Sequence, residues 1–245
     1  MNQNSGQPLG ERVSFTGAPR PQRALLERQP LAGARVLIRP LRPQGDAPAL
    51  YAASHPPDGD RSIWTYLYDG PYPDVASFQQ ALERQAATED PLFLTVADTD
   101  TGTEAATARP VGVTSYMSIV PEHGVIEVGN IWFGPQLKRT AAATETIFLL
   151  ARHALDELGY RRLEWKCNAL NEPSRRAARR FGFAYEGTFA NHRVVKGRNR
   201  DTAWFAITAQ RWPALRAAFE AWLEPANFDA TGAQRGRLSQ MTAGI

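Results

Sequence analysis

Residues 168–187 read "NALNEPSRRAARRFGFAYEG". Asn168 and Asn171 flank a turn, Pro173 and Ser174 open a short helix, four arginines follow, and Gly182 stands between two phenylalanines. Pro173 suits a first helical turn, where its missing N–H costs nothing because that amide has no intrahelical acceptor. Ala177, Ala178 and Phe181 fall on the inward side, and Arg175, Arg176, Arg179 and Arg180 on adjoining outer positions. A helix that only packs needs neither the two asparagines nor so much positive charge. The stretch reads as a turn that holds something, with basic side chains ready for an anion.

Working outward, "RRLEWKCN" (161–168) alternates Leu163, Trp165 and Cys167 with Arg162, Glu164 and Lys166, the period of a half-buried strand. Beyond the turn, "FAYEGTFA" (183–190) and "DTAWFAIT" (201–208) read as strands joined across "NHRVVKGRNR", with a last helix after Trp212-Pro213. Upstream lies the clearest helix: Ile147, Leu150, Ala151, Ala154, Leu155 and Leu158 recur at helical spacing, and Gly159 is placed to end it. "GVIEVGNIWF" (124–133) precedes it as a strand. Residues 91–120 read as two strands around a polar loop containing "DTDTG". "RVLIRPL" (35–41) is a strand, and residues 45–54 and 73–87 are helices around the aromatic loop "IWTYLYDGPYP". The order β-α-α-β-β-β-α-β-α-β-β predicts an α/β (α+β) chain with one mixed sheet, not a regularly alternating doubly wound fold.

Three segments are expected: a flexible arm over 1–30 with a short helix at "ALLERQ", a domain over 31–224, and a polar tail over 225–245. With 43% hydrophobic and 22% charged residues, 245 residues suffice for a sizeable core. No apolar run reaches the length of a membrane span, and the N-terminal residues lack a secretory signal's apolar centre, so the expected compartment is the cytoplasm. One cysteine and four scattered histidines provide neither a disulfide nor metal-ligand spacing. The net charge of +3 is uneven: residues 161–200 hold eleven Lys/Arg against three Glu, a balance of +8 that leaves −5 elsewhere. Such a concentration suggests a phosphorylated small molecule or nucleic acid, or simply a solvated face.

Four stretches in this order, "IEVGNIWF", "LKRTAAATET", "NALNEPSRRAARRFGFAYEG" and "KGRNRDTAWFAIT", resemble the GNAT acetyltransferase superfamily, and within it the RimJ/RimL-like branch. The resemblance covers roughly residues 31–213. It implies a GNAT-like fold: a central mixed, mostly antiparallel, splayed β-sheet flanked by helices. It also implies acetyl-CoA as cosubstrate, no metal, and an amine acceptor.

In that family a strand turns directly into a helix whose free amides and positive dipole end suit a diphosphate. The matching residues are Lys138, Arg139, Thr140, Ala141, Ala142, Ala143 and Thr144. Lys138 matches the basic first position and Ala143 the last, but Arg139 and Ala141 stand where glycines are common. Without glycine a positive φ is costly, so a helical course from Thr140 onward is expected. The family's strands before and after the long helix part, and the pantetheine arm lies between them like an added strand. Here that assigns Ile131, Trp132 and Phe133 on one side, and Asn168, Asn171, Ser174 and Ala177 on the other.

Aminolysis of a thioester by direct attack in a ternary complex requires the acceptor's ammonium to lose a proton first. Glu127 matches the family's frequent carboxylate and is the expected base, directly or through water; the competing reading is a strand-end Glu paired with an arginine. An amide near Ile131 or Phe133 is the expected oxyanion donor. The tyrosine that many members use to protonate the thiolate is replaced by Ala178, leaving Ser174 as the candidate, against a plain cap, and Tyr185 after it. Trp64, Tyr66, Tyr68 and Tyr72 line an acceptor pocket or pack in the core; "KGRNRDT" (196–202) contacts the acceptor or locks its loop. His153 and Cys167 read as structural.

The branch implies protein N-termini or small amines as acceptors, and arginines in the pocket would favour an acidic one. The alternative is a basic RNA- or ribosome-binding module without turnover, although RNP aromatics and zinc-knuckle spacings are missing and nucleic acid is not expected. A homodimer wrapped by the N-terminal arm is a further possibility.

Overall fold

The computed structural model describes residues 10, 13–99 and 108–245. Its strands are β1 (Leu31–Ala32), β2 (Val36–Pro40), β3 (Leu92–Asp98), β4 (Arg109–Val120), β5 (Val125–Phe133), β6 (Arg162–Asn168), β7 (Ala184–Val195) and β8 (Arg198–Thr208). The helices are α1 (Arg23–Arg28), α2 (Pro43–Ser54), α3 (Val75–Ala86), α4 (Ala141–Arg152), α5 (Glu172–Arg180), α6 (Trp212–Leu223) and α7 (Leu238–Met241). One eight-stranded sheet runs in the order β1-β2-β3-β4-β5-β6-β8-β7, and β5–β6 is its parallel pair among otherwise antiparallel neighbours. This is the GNAT-like mixed sheet expected from the sequence.

Each face of the sheet buries its own layer. On one, α4, α5 and α6 cover Tyr116, Ile126, Val128, Leu163, Trp165, Cys167 and Phe205. On the other, α2, α3 and the aromatic loop bring Leu50, Trp64 and Phe78 against Val113 and Trp132. The long helix ends differently from its expected regular course. Residues 153–157 form a π-helical turn, closed by Leu158 N–H donating to His153 O at 2.9 Å, before Gly159 turns away at φ 72°. The buried Tyr116 hydroxyl fills this turn, donating to Leu150 O at 2.7 Å and lying 3.1 Å from His153 Nδ1.

Two expectations need correction. The ten-residue connection between the last two strands is itself strand: β7 and β8 extend to a tight turn at Lys196-Gly197, φ 50° and 72°. Two successive positive φ values match the right-handed twist of a hairpin, which the lysine tolerates beside glycine. The ends, expected loose, are docked at several described residues. Ala18 N–H donates to Pro121 O, Leu26 is buried, and Arg23 reaches Thr88 O. In the tail Leu238 is fully buried, Thr242 Oγ1 donates to Arg180 O, and Arg211 holds the Ile245 carbonyl. Few apolar residues suffice when each enters a prepared hollow, and composition cannot register that. Residues 100–107 of the expected β3–β4 loop lie outside the described residues.

Candidate active site

β5 and β6 pair over three rungs, Val125–Arg162, Ile126–Leu163 and Glu127–Glu164, and then part. The parting begins where β5 is bulged. Asn130 has φ 51°, and the register with β4 slips between Ser115–Gly129 and Val113–Trp132. Gly129 and Asn130 therefore point to the same side, and Asn130 Nδ2 donates to Ser115 Oγ at 3.0 Å. The extra residue resets the alternation. Ile131 and Phe133 return to the α4 side, while Trp132 enters the α2/α3 core.

Glu127 stands on the last paired rung, with its carboxylate on the face opposite α4. It is 4% exposed. Lys166 Nζ lies 2.9 Å from its Oε2, and Ser118 Oγ donates to the same oxygen at 3.0 Å. Burial pushes the carboxyl above its usual range, opposed by Lys166 and by the Ser118 hydroxyl. Lys166 does not fully compensate, because it also reaches Glu164 Oε2 at 2.7 Å and sits over the Trp204 ring at 4.1 Å. The sequence offered an arginine as Glu127's alternative partner; the partner is a lysine.

This carboxylate opens into a small cleft lined by Tyr68, Met117, His192, Arg193, Arg200 and Trp204. The aromatic loop, which contributes Tyr68 to it, is tied down at two points. Tyr66 OH donates to Leu170 O at 3.1 Å, and Lys196 Nζ donates to Trp64 O at 2.7 Å. The loop's own frame is His55, whose Nε2 accepts from Tyr72 N–H at 3.0 Å while its ring stacks on Tyr51 at 4.1 Å. Trp64 is a core residue, 2% exposed.

At the start of α4, Thr140 is the N-cap: its Oγ1 accepts from Ala143 N–H at 3.2 Å and donates to Leu137 O at 2.8 Å. The amides of Ala141 and Ala142 belong to the first turn, where no intrahelical acceptor exists. These small residues leave the backbone approachable, which fits a diphosphate. The course is helical from Ala141, but Arg139 itself holds the left-handed conformation, φ 64°, that glycine takes without strain. Lys138 pairs with Asp60 at 3.4 Å, and Arg180 donates to Thr144 Oγ1 at 3.0 Å.

Across the gap, Asn171 caps α5 by accepting from Ser174 N–H at 3.2 Å, and Asn168 Oδ1 accepts from Leu170 N–H at 2.9 Å. The helix cap is thus Asn171, not Ser174. Ser174 Oγ instead accepts from Trp165 Nε1 at 3.0 Å, and its hydroxyl also reaches the Cys167 thiol, which burial pushes upward. Ala177 is partly buried beside this turn, and Ala178 is fully buried. Of the four arginines expected on the outer face, Arg180 turns inward over the Trp222 ring at 4.9 Å. Tyr185 is exposed and lies 2.8 Å from Thr188 Oγ1.

The site thus brings Glu127 together with Lys166, Ser118 and Arg200, none of which the sequence singled out individually. A faint signal existed in the alternation of β6, which places Glu164 and Lys166 on the face away from Trp165. The described residues contain no group of three His, Cys, Asp or Glu side chains able to hold a metal, and no helix long and apolar enough to cross a membrane.

Comparison with known proteins bears on the family and the fold. The profile of the acetyltransferase (GNAT) domain matches residues 35–184. A crystal structure of a GCN5-related N-acetyltransferase from Brucella melitensis is 42% identical, covering 94% of this chain and 98% of that one, with a TM-score of 0.86. A probable GNAT-family acetyltransferase from Chromobacterium violaceum is 35% identical over 85% of this chain and 100% of its own, TM-score 0.73. Spermidine N-acetyltransferase from Vibrio cholerae, solved with CoA and spermine, shares the fold at 17% identity, with 73% of this chain and 98% of that one covered and a TM-score of 0.55. A search of curated proteins found no match. The chain belongs to the GNAT acetyltransferase family. It is an N-acetyltransferase that uses acetyl-CoA.

Proposed function

We propose that this enzyme, a member of the RimJ/RimL-like branch acting in the cytoplasm, acetylates a primary amine on a small molecule or protein N-terminus by direct attack in a ternary complex. The observation that carries the reading is Glu127. It is a buried carboxylate with a raised pKa, on the last rung before two strands part, opening into a cleft. A base poised toward neutrality accepts a proton from an ammonium more readily than an ordinary surface carboxylate does. Lys166 and Ser118 fix its orientation, leaving Oε1 as the oxygen free to face an acceptor or a bridging water.

Acetyl-CoA supplies an activated acyl carbon. The chain's residues suited to hold it are Ala141 to Thr144, whose Ala141 and Ala142 amides are open, with Lys138, Arg139 and Thr140 for the diphosphate. Ile131, Trp132 and Phe133 on one strand, and Asn168, Asn171 and Ala177 on the other side, suit the arm. A backbone amide near Ile131, just past the bulge, is a fitting oxyanion donor. Ser174 is the candidate proton source for the thiolate: its oxygen accepts from Trp165, and its own proton, now directed at Cys167, would have to turn to the leaving sulfur.

A nucleic-acid role gains little support, because much of the basic stretch is internally engaged. Arg162 pairs with Glu164 and Glu186, Lys166 with two carboxylates, and Arg180 is inward. The test is Glu127→Gln. Thiol release with an amine should fall about 100-fold or more, while coenzyme A binding by calorimetry stays within about 2-fold of wild type. Equal loss of both would remove Glu127 from catalysis.

A further inference from the structure

Arg200 is a guanidinium without an anion. It is 7% exposed, lines the Glu127 cleft, and makes no hydrogen bond or ion pair among the described residues; its Nε is buried and unsatisfied. Its guanidinium lies over the Tyr68 ring, 5.1 Å from the ring centre. Its cross-strand partner in the β7–β8 ladder is Arg193, a second cation on the same face. Like charges directly opposed destabilise a sheet, and a buried unpaired charge costs more still. Trp204 Nε1, in the same cleft, is also buried without an acceptor. The cleft's carboxylate, Glu127, is already engaged by Lys166. A fold that keeps one buried arginine and an indole N–H unsatisfied beside one hollow, with the exposed Arg193 opposite, is suited to an oxyanion there.

We propose that the acceptor is a small molecule carrying both the amine and an oxyanion, a carboxylate or phosphonate bound by Arg200 with Arg193 and the Trp204 indole N–H. This rests on the reading of the enzyme as an amine acetyltransferase and narrows its acceptor. Glu127 takes the proton from the ammonium end while Arg200 holds the anionic end, so the two charges of a zwitterion meet opposite partners. The cleft's positive field is also felt by His192, whose pKa is lowered by burial and then by Arg193, Arg200 and Lys166. An extended peptide fits less well, because the aromatic loop that carries Tyr68 into the cleft is tied down by Tyr66 and Lys196.

The test uses matched acceptors on the full chain: glycine, β-alanine and γ-aminobutyrate with their amides, aminomethylphosphonate and 2-aminoethylphosphonate, and a tetrapeptide with a free N-terminus. For at least one pair, kcat/KM for the anionic acceptor should exceed that for its amide on the order of 10- to 100-fold. The better of carboxylate and phosphonate identifies the oxyanion. Arg200→Met should bring the two members of the pair to the same kcat/KM, and Arg200→Lys should restore part of the difference. Independently of turnover, Arg200→Met should raise the melting temperature of the ligand-free protein by removing an uncompensated charge. The anionic acceptor should stabilise wild type, but not this variant, in the presence of coenzyme A. Amides or the tetrapeptide serving as well as the acids, or Arg200→Met lowering both members equally, overturns the inference and leaves the acetyltransferase reading intact. Absence of thiol release with every amine overturns that reading instead, and the melting shifts then decide the anion site alone.

Discussion

Lys166 divides one ammonium between two carboxylates, 2.9 Å from Glu127 and 2.7 Å from Glu164. The two carboxylates lie on the same rung of β5 and β6, so the last paired step of these strands carries two like charges. Sharing leaves Glu127 under-compensated, and burial then holds its pKa above the ordinary range.

Removing the ammonium shifts that balance in a known direction. Lys166 lowers the Glu127 pKa, so Lys166→Met should raise it further. Because the deprotonated carboxylate is the active form of a base, the acidic limb of the kcat/KM profile should move to higher pH in this variant. A profile recorded at a temperature where both proteins are folded checks this; a limb that stays in place or moves down removes Glu127 as its origin.

Ser174→Ala tests two roles at once. It strands the Trp165 indole N–H, at a cost of about 1–3 kcal/mol in stability by denaturant unfolding. It should also lower kcat by about 10-fold or more if the hydroxyl serves the leaving thiolate. A stability loss with unchanged kcat would confine Ser174 to holding Trp165.

Arg139 sits at φ 64° in the turn before α4. Arg139→Gly relieves the left-handed strain and should stabilise the ligand-free protein by about 1 kcal/mol in thermal or chemical unfolding. The same change removes a cation beside the free amides, so coenzyme A should bind more weakly, with a shallower salt dependence. Stabilisation without loss of affinity would place the guanidinium away from the phosphates.

His55 gives the aromatic loop a pH dependence. Its Nε2 accepts from Tyr72, so that nitrogen must be unprotonated, and burial lowers the pKa below 6.5. The folded state therefore binds fewer protons than the unfolded one. Stability is fully present above pH 6.5 and is lost as pH falls from there through the folded pKa. Hydrogen exchange at Tyr72 should accelerate over that interval, and His55→Gln should flatten the response.

Legibility differed by scale. The alternation of Leu163, Trp165 and Cys167 gave β6, and the 3.6-residue recurrence from Ile147 gave α4, because both periods are local properties of the chain. The "LKRTAAATET" and "NALNEPS" stretches marked two turns whose amides and caps are set within a few residues. The bulge at Asn130 was not visible, since a bulge is defined against β4, a partner strand reached through a turn. The helical π-turn at His153 was hidden for a similar reason: Tyr116, from another strand, fills it.

The sequence by itself determined most of the elements and the family, and singled out Glu127 as a candidate, because periodicity and short motifs are written in neighbouring residues. Tertiary structure alone decided that Lys166 would be Glu127's partner and that Arg200 would be buried without one. Ion pairing and desolvation depend on which strands lie side by side and on what covers them. That information arises when β6 settles between β5 and β8.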